Sequence, residues 1–401
     1  MVGIVRGARV RRAPSPVRLT GVNAPISSSD VLVVGAGIVG LAHAAEAVRR
    51  GLTVTVIDRD SRAVGASIRN FGHCCVTAQS GELLDLALSA RERWVEYSAS
   101  AGFFSVQSGA LTVARSAEEL AVVGELSASR APGQVVLVSA DAVRDELSSG
   151  DGAIVGGALL RDDVRVDPRE AVGSLAAWLA GQGVTFLWRT SYLGHDGALA
   201  QTSRGPIAAE RTLVCVGHDL DYLQPTLAAE YEIERCGLQM ARVVVPDGRR
   251  IRPAVLTGTS MLRYPAFTDM PASAALRDRV AADDPELVRI GANVMFTQRP
   301  DGSIIAGDSH RYSATMDPFL AEQTTDALLA RIAQVLGVDG SPADLRQPAG
   351  LRVVERWQGV YASSATQPYL VAEIAPGVTA VSVTSGVGMT ISFGLARRFF
   401  A

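Results

Sequence analysis

Residues 31–58 constrain the fold of this chain more than any other stretch. Val31-Leu-Val-Val34 is a short apolar run suited to a buried parallel strand. It leads straight into Gly35-Ala-Gly37-Ile-Val-Gly40, then an Ala-rich helical stretch from Leu41 to Arg50, with Gly51 where a helix should stop. Thr53-Val-Thr-Val-Ile57 reads as a second strand ending at Asp58. Gly35 permits a tight turn, Gly37 lets backbone approach a pyrophosphate, and Gly40 lets the helix pack on the strand. The helix start, at Ile38 and Val39, offers free N–H groups and a positive dipole end to a phosphate. Asp58, with Arg59 beside it, stands the ~20 residues on at which an acid meets ribose hydroxyls. This frame predicts a dinucleotide site; a tight turn with no ligand is the competing reading.

The fingerprint alone does not choose between a nicotinamide and a flavin. Three later segments favour FAD. Gly65-Ala-Ser-Ile-Arg-Asn-Phe-Gly72 suits a loop that passes the pyrophosphate and crosses the isoalloxazine, with Ser67, Asn70, Phe71 and Gly72 as candidates; a plain surface loop is the alternative. Thr212-Leu-Val-Cys-Val-Gly217 is an apolar strand closing on a glycine that admits close backbone approach. Val381-Ser-Val-Thr-Ser-Gly-Val-Gly-Met-Thr390 turns through Gly386 and Gly388 into a helical Ile391 to Phe400, making Ser385, Met389 and Thr390 further candidates. A helix start there would stabilise the negative charge that a reduced flavin carries. Two anion-type loops at opposite ends of the chain fit one large cofactor.

Composition excludes several classes. The 401 residues are 48% hydrophobic and 20% charged, with a net charge of −3, which leaves no electrostatic footprint for nucleic acid. All 38 basic residues are arginine, so lysine chemistry is unavailable. Cys74, Cys75, Cys215 and Cys236 are too few and too irregular for a disulfide framework or a zinc site, and no metal site is expected. A reduced, cytoplasmic protein is the expectation. Residues 1–29 are arginine-rich without an apolar core, read as a disordered extension. No apolar run reaches the roughly 18 residues of a membrane span.

These residues resemble the D-amino-acid-oxidase superfamily, from about Val31 to the C-terminus. Ala66-Ser-Ile-Arg-Asn-Phe-Gly72, Leu262-Arg-Tyr-Pro-Ala-Phe267, Gly307-Asp-Ser-His310 and Arg356-Trp-Gln-Gly-Val-Tyr361 are similar to a bacterial clade of FAD-dependent oxidoreductases encoded beside phosphonate-degradation genes. The resemblance implies an α/β plus α+β fold: a Rossmann-like FAD-binding domain with an inserted, mainly antiparallel β-sheet substrate domain. The expected division is 30–100, 150–222 and 350–401 for FAD, and 101–149 and 223–349 for substrate. It further implies oxidation of an amine to an imine and then a carbonyl, on an aminoalkylphosphonate such as 2-aminoethylphosphonate or its N-methyl form. His73-Cys74-Cys75 departs from the clade, which carries larger apolar or aromatic residues there. Relatives with covalent flavin use a cysteine near the C-terminal loops; none lies beyond Cys236, so non-covalent FAD is expected. Some relatives use a lysine for the oxygen reaction, so here either another group serves or the electron acceptor is not O2.

On the substrate side, Val106 to Val113, Val243 to Val255 and Val294-Met-Phe-Thr-Gln298 show strand-like usage. Arg299-Pro-Asp-Gly302 reads as a hairpin turn before Ile304-Ile305, and a helix is expected over Glu322 to Leu336. Candidate catalytic residues are His310, Arg263, Tyr264, His73, Arg69, Arg356 and Tyr361. His310 steers the amine, meets the anion, or merely satisfies the core. Arg263, in an apolar stretch, binds a substrate anion or pairs with Asp269 or Glu286. Trp357 packs, His43 and His195 receive no role, and His218 touches the nucleotide. The cysteine pair is read as buried rather than redox-active. Hydride removal needs only a deprotonated amine, a dry cleft and orientation, so no Ser-His-Asp triad is required. A phosphonate dianion would draw two or more arginines; a single carboxylate needs one. A D-amino acid, glycine or sarcosine is the alternative substrate, and a redox-inactive flavoprotein or an NAD-dependent dehydrogenase the more distant readings.

Overall fold

The computed structural model describes residues 24–197, 199–245, 247–338 and 350–401. The apolar run before the glycine loop becomes the centre of an eight-stranded sheet ordered Tyr192–Asp196, Leu199–Thr202, Ile207–Val214, Ser27–Val34, Val54–Asp58, Thr185–Trp188. Ser27–Val34 runs parallel to both neighbours, as a strand–helix–strand crossover requires. Val378–Val383, from the far end of the chain, adds in parallel to Ile207–Val214, and Tyr369–Ala375 pairs with it. Helices Ile38–Arg49, Gly81–Ala101, Pro168–Gly181 and Gly388–Phe399 bury their apolar faces in one shared core with this sheet. Order starts earlier than the expected Val31. Ser27 to Ser29 already pair with Ile207 to Ala209, and Ile26 N–H donates to Pro206 O at 2.8 Å. The expected extension therefore loses its last residues to the sheet, and residues 1–23 lie outside the described ones.

A nine-stranded sheet forms the second layer system, in the order Arg311–Ser313, Ile233–Val244, Ile304–Gly307, Met295–Gln298, Ala254–Leu256, Ala110–Ala114, Gly156–Leu160, Val135–Ser139. Its pairings are antiparallel except that of Ala254–Leu256 with Ala110–Ala114. Arg352–Ser364 lies along Ile233–Val244 for the whole of that strand, from Ile233 opposite Ser364 to Val244 opposite Arg352. The expected hairpin at Arg299–Gly302 joins Met295–Gln298 to Ile304–Gly307. The helix Glu322–Leu336 ends at Gly337 in the left-handed conformation and buries Leu328, Leu329, Ile332 and Leu336 against the sheet.

Two expectations are corrected here. Gly156–Leu160 and Arg352–Ser364 belong to the second sheet, although the expected boundaries placed them with the first. The run Val243 to Val255 is not one strand but the end of Ile233–Val244 and the separate Ala254–Leu256. Among the described residues no helix is long and apolar enough to cross a membrane.

Candidate active site

The glycine loop builds the first wall of a cavity of about 480 Å³. Gly35 has φ +105°, and a Cβ on it would collide with Cys215 O. Gly40 is pinned in the same way, since a Cβ there would strike Gly35 O and Val33. These approaches leave the start of Ile38–Arg49 bare to the cavity through Gly37, Ile38 and Val39. Gly40 itself does not line it: the third glycine serves helix–strand packing. Asp58 closes the end of its strand, accepting from Ala36 N–H at 2.8 Å and Asp60 N–H at 2.9 Å. Burial raises its pKa against the pull of those two N–H groups. Arg59 reaches Asp219 at 2.7 Å, beside Gly217 and His218, which also line the cavity.

The loop after the second strand folds over this wall. Ser67 Oγ accepts from Ile38 N–H at 2.9 Å. Asn70 holds the turn, its amide donating to Ala66 O and Ser67 O while its Oδ1 accepts from Gly72 N–H at 2.7 Å. Phe71 is buried with Cys236, Leu238, Met240, Met295 and Ile305. Arg69 lines the cavity, but its guanidinium donates to Gln358 O at 3.1 Å, and Trp357 Nε1 donates to Arg69 O at 3.2 Å. Trp357 thus packs as expected, under Arg169 at 4.7 Å. From the far end of the chain, Ser385, Gly386, Gly388 and Met389 supply the opposite wall at the start of Gly388–Phe399.

At the other end the second sheet contributes a polar cluster. Arg263 Nη2 donates to Tyr361 OH at 2.7 Å, and its Nη1 lies 3.4 Å from Tyr312 OH. The alternative ion pairs do not form: Asp269 accepts from Ser80 and Glu286 pairs with Arg289. Tyr264 donates to Met295 Sδ at 3.4 Å. His310 Nδ1 lies 2.9 Å from Gly291 O, and its ring is held well below the usual histidine pKa by burial and by the Arg263 charge. Asp308 and Asn293 complete the cluster. Burial pushes the Asp308 carboxyl up to about 7, against the opposing effects of Arg263 and Asn293.

Arg263, Tyr264, His310, Tyr361 and Arg69 therefore come to one cavity with the glycine loops. Besides Gly40, four candidates do not. His73 is bonded through Nε2 to Asp163 at 2.7 Å in a buried pair outside the cavity, because its short strand His73–Cys74 is paired to Val164–Val166. Arg356 is drawn to Glu322 at 2.5 Å, since alternation along its strand puts it on the far face from Tyr361. Thr390, one turn into its helix, accepts from Cys75 N–H at 3.0 Å. Gly72 faces Val166 rather than the cavity. Asp308, Asn293 and Tyr312 were not singled out. Asp308 sits inside Gly307-Asp-Ser-His310, where an acid two residues from a candidate histidine was the available signal; Asn293 and Tyr312 offer none.

No curated protein matches the chain. Solved structures do, over nearly its full length. Glycine oxidase from Geobacillus kaustophilus is 17% identical with a TM-score of 0.71, covering 93% of this chain and 94% of that one. Iminodiacetate oxidase from Chelativorans sp. BNC1 is 19% identical with a TM-score of 0.70, over 92% and 93%. Dithionite-reduced L-alpha-glycerophosphate oxidase from Mycoplasma pneumoniae, with FAD bound, is 16% identical with a TM-score of 0.70, over 93% and 94%. At these identities the likeness shows the fold. The family assignment comes from a model described as DAO, FAD dependent oxidoreductase, which matches residues 30–400, and the glycine cradle spanned from both ends of the chain fits that cofactor: the chain belongs to this family of FAD-dependent oxidoreductases.

Proposed function

We propose that this protein oxidises an amine that also carries an anionic group, taking a hydride from the carbon beside nitrogen. The observation that carries this reading is Arg263: a guanidinium lining the cavity, hydrogen-bonded to the Tyr361 hydroxyl and, among the described residues, with no carboxylate within ion-pair distance. A half-buried arginine on a cavity wall, bonded to hydroxyls rather than to a carboxylate, is a site for a substrate anion. FAD, when bound, supplies the two-electron acceptor for the hydride. Gly35, Gly37, Ile38, Val39, Asp58 and Ser67 would hold its nucleotide, and Ser385 to Met389 would lie at its reactive ring. The chain's own work is then positional: Arg263 and Tyr361 fix the anion, and Phe71, Leu238 and Tyr264 keep the reacting carbon dry. The resulting imine passes to a carbonyl with water.

A carboxylate is the first reading of that anion. Arg59 is paired with Asp219, and Arg356 is engaged outside the cavity. Arg263 alone matches one carboxylate. Arg69, a second arginine on the cavity wall, favours an aminoalkylphosphonate as the second reading. Anaerobic mixing of FAD-loaded protein with glycine, sarcosine, D-alanine, 2-aminoethylphosphonate and its N-methyl form separates them. Loss of oxidised flavin absorbance with one of the three amino acids supports the first reading, and with a phosphonate alone the second. A flavin that stays oxidised with all five overturns both.

A further inference from the structure

Two polar atoms on the cavity wall have no task in that scheme. Asp308 is 3% exposed, and its Oδ1 accepts from Asn293 Nδ2 at 3.0 Å. Asn293 is fixed in turn by Ser260, whose hydroxyl donates to its Oδ1 at 2.7 Å. The remaining oxygen, Oδ2, has no hydrogen-bond partner among the described residues and faces His310 Nε2 at 3.9 Å. His310 is oriented from its other nitrogen. Gly291 O can only accept, so Nδ1 carries the proton, and Nε2 of the neutral ring is an acceptor as well. Two acceptors therefore look at each other across a gap too wide for a direct hydrogen bond. Asp308 and His310 both line the cavity, where a ligand can reach these two atoms. What fits the gap is a cationic group with at least two N–H donors.

We propose that Asp308 Oδ2 and His310 Nε2 form the amine subsite, and that Asp308 is a catalytic residue that takes the proton the substrate ammonium must lose. The N–H bond breaks as an O–H bond forms on Oδ2, and the electron pair stays on nitrogen, where it assists departure of the hydride. The remaining N–H is held by His310, which fixes the rotation of the amine. Arg263, on the same wall, takes the opposite end of the substrate, so the anion and the amine are read by separate groups. The groups facing Asp308 are Arg263 and Tyr264 from the segment after Gly258–Met261, Cys236 from Ile233–Val244, Asn293, and His310. Arg263 is the cation among them, and it does not neutralise the carboxylate by direct contact. This inference rests on the amine reading above and deepens it.

Asp308→Asn tests it, because the amide keeps the bond accepted from Asn293 and replaces the anionic oxygen facing His310 with a neutral N–H donor group. The first measurement is equilibrium binding at neutral pH to FAD-loaded protein reduced beforehand by dithionite, so that no turnover intervenes. Glycine is compared with acetate, D-alanine with propanoate, and 2-aminoethylphosphonate with ethylphosphonate. At least one amine should bind about tenfold or more tighter than its amine-free counterpart. That advantage should vanish in the variant, while the counterpart binds unchanged and so reports an intact fold. The second measurement is the rate of flavin bleaching against pH, for any amine that bleaches. The wild-type rate should fall as pH drops through about 7. The variant should lose on the order of 100-fold at neutral pH, with its acid limb moved up toward the amine's own pKa. An amine advantage that is absent, or that survives Asp308→Asn, overturns the subsite. An unmoved acid limb overturns the proton transfer. Asp308-dependent amine binding without bleaching by any amine overturns the proposed oxidation and leaves the subsite standing.

Discussion

Among the described residues Arg263 hydrogen-bonds to hydroxyl groups and to no carboxylate, although Asp308 stands near enough to feel its charge. Its bonds to Tyr361 and Tyr312 orient the guanidinium without neutralising it. Charge-assisted bonds contribute about 1.5–3 kcal/mol, so Arg263→Met should raise KM for an anionic amine roughly 10- to 100-fold. Tyr361→Phe removes a hydroxyl bonded to that guanidinium but leaves the cation in place, and should raise KM less, about fivefold. Steady-state flavin reduction by the two variants checks this, and equal effects would place the anion elsewhere. Asp308 carries a stability consequence as well. Its folded pKa is raised from 3.8 to about 7, so the folded protein holds that proton more tightly than the unfolded chain. Ionisation as pH rises from about 4 to about 7 therefore costs stability, and the full cost persists above about 7. Asp308→Asn should then unfold at a higher temperature than wild type above neutrality, with the difference vanishing toward pH 4. A variant less stable than wild type at pH 8 would contradict the burial argument.

The glycine loop was legible because its glycines meet obstacles set by their immediate neighbours, and a short pattern records such obstacles. Gly35→Ala forces a Cβ into Cys215 O at a φ that L residues avoid. The protein should purify with little FAD, read from the ratio of absorbance at the flavin and protein bands. The helix Glu322–Leu336 was legible from its apolar period and its terminal glycine. Ile332, fully buried there, should cost about 2–5 kcal/mol when cut to Ala, measured by denaturant unfolding. Arg352–Ser364 was not legible as part of the second sheet, because its place is decided by pairing with Ile233–Val244, far away in sequence. The same limit explains the candidate site. Arg263, His310 and Tyr361 could be picked out as polar residues in apolar segments. Gly291, which orients His310, Tyr312, which bonds Arg263, and Asn293, which holds Asp308, are supplied by other strands and loops and leave no local trace. His73 misled because a histidine beside a flavin-crossing loop looks the same in sequence whether it faces the ring or Asp163.

Both sheets contribute to this cavity: Gly35, Asp58 and Val383 belong to the first sheet and its loops, and Leu238, Asp308 and Tyr361 to the second. A cofactor seated there would touch both layer systems, and would then bind best when both are formed. Such a ligand stabilises the folded state by RT ln(1 + [L]/Kd), about 2.7 kcal/mol at 100 times Kd. The unfolding midpoint should therefore climb with added FAD and fall when the cofactor is stripped. If the cofactor bridges the two sheets, loss of either one releases it. The rise in free flavin fluorescence should then coincide with the loss of far-ultraviolet circular dichroism during heating. A release that clearly precedes loss of secondary structure would mean that the first sheet and its glycine loops open without the second, and that the wall from Leu238 to Tyr361 contributes little to holding the cofactor.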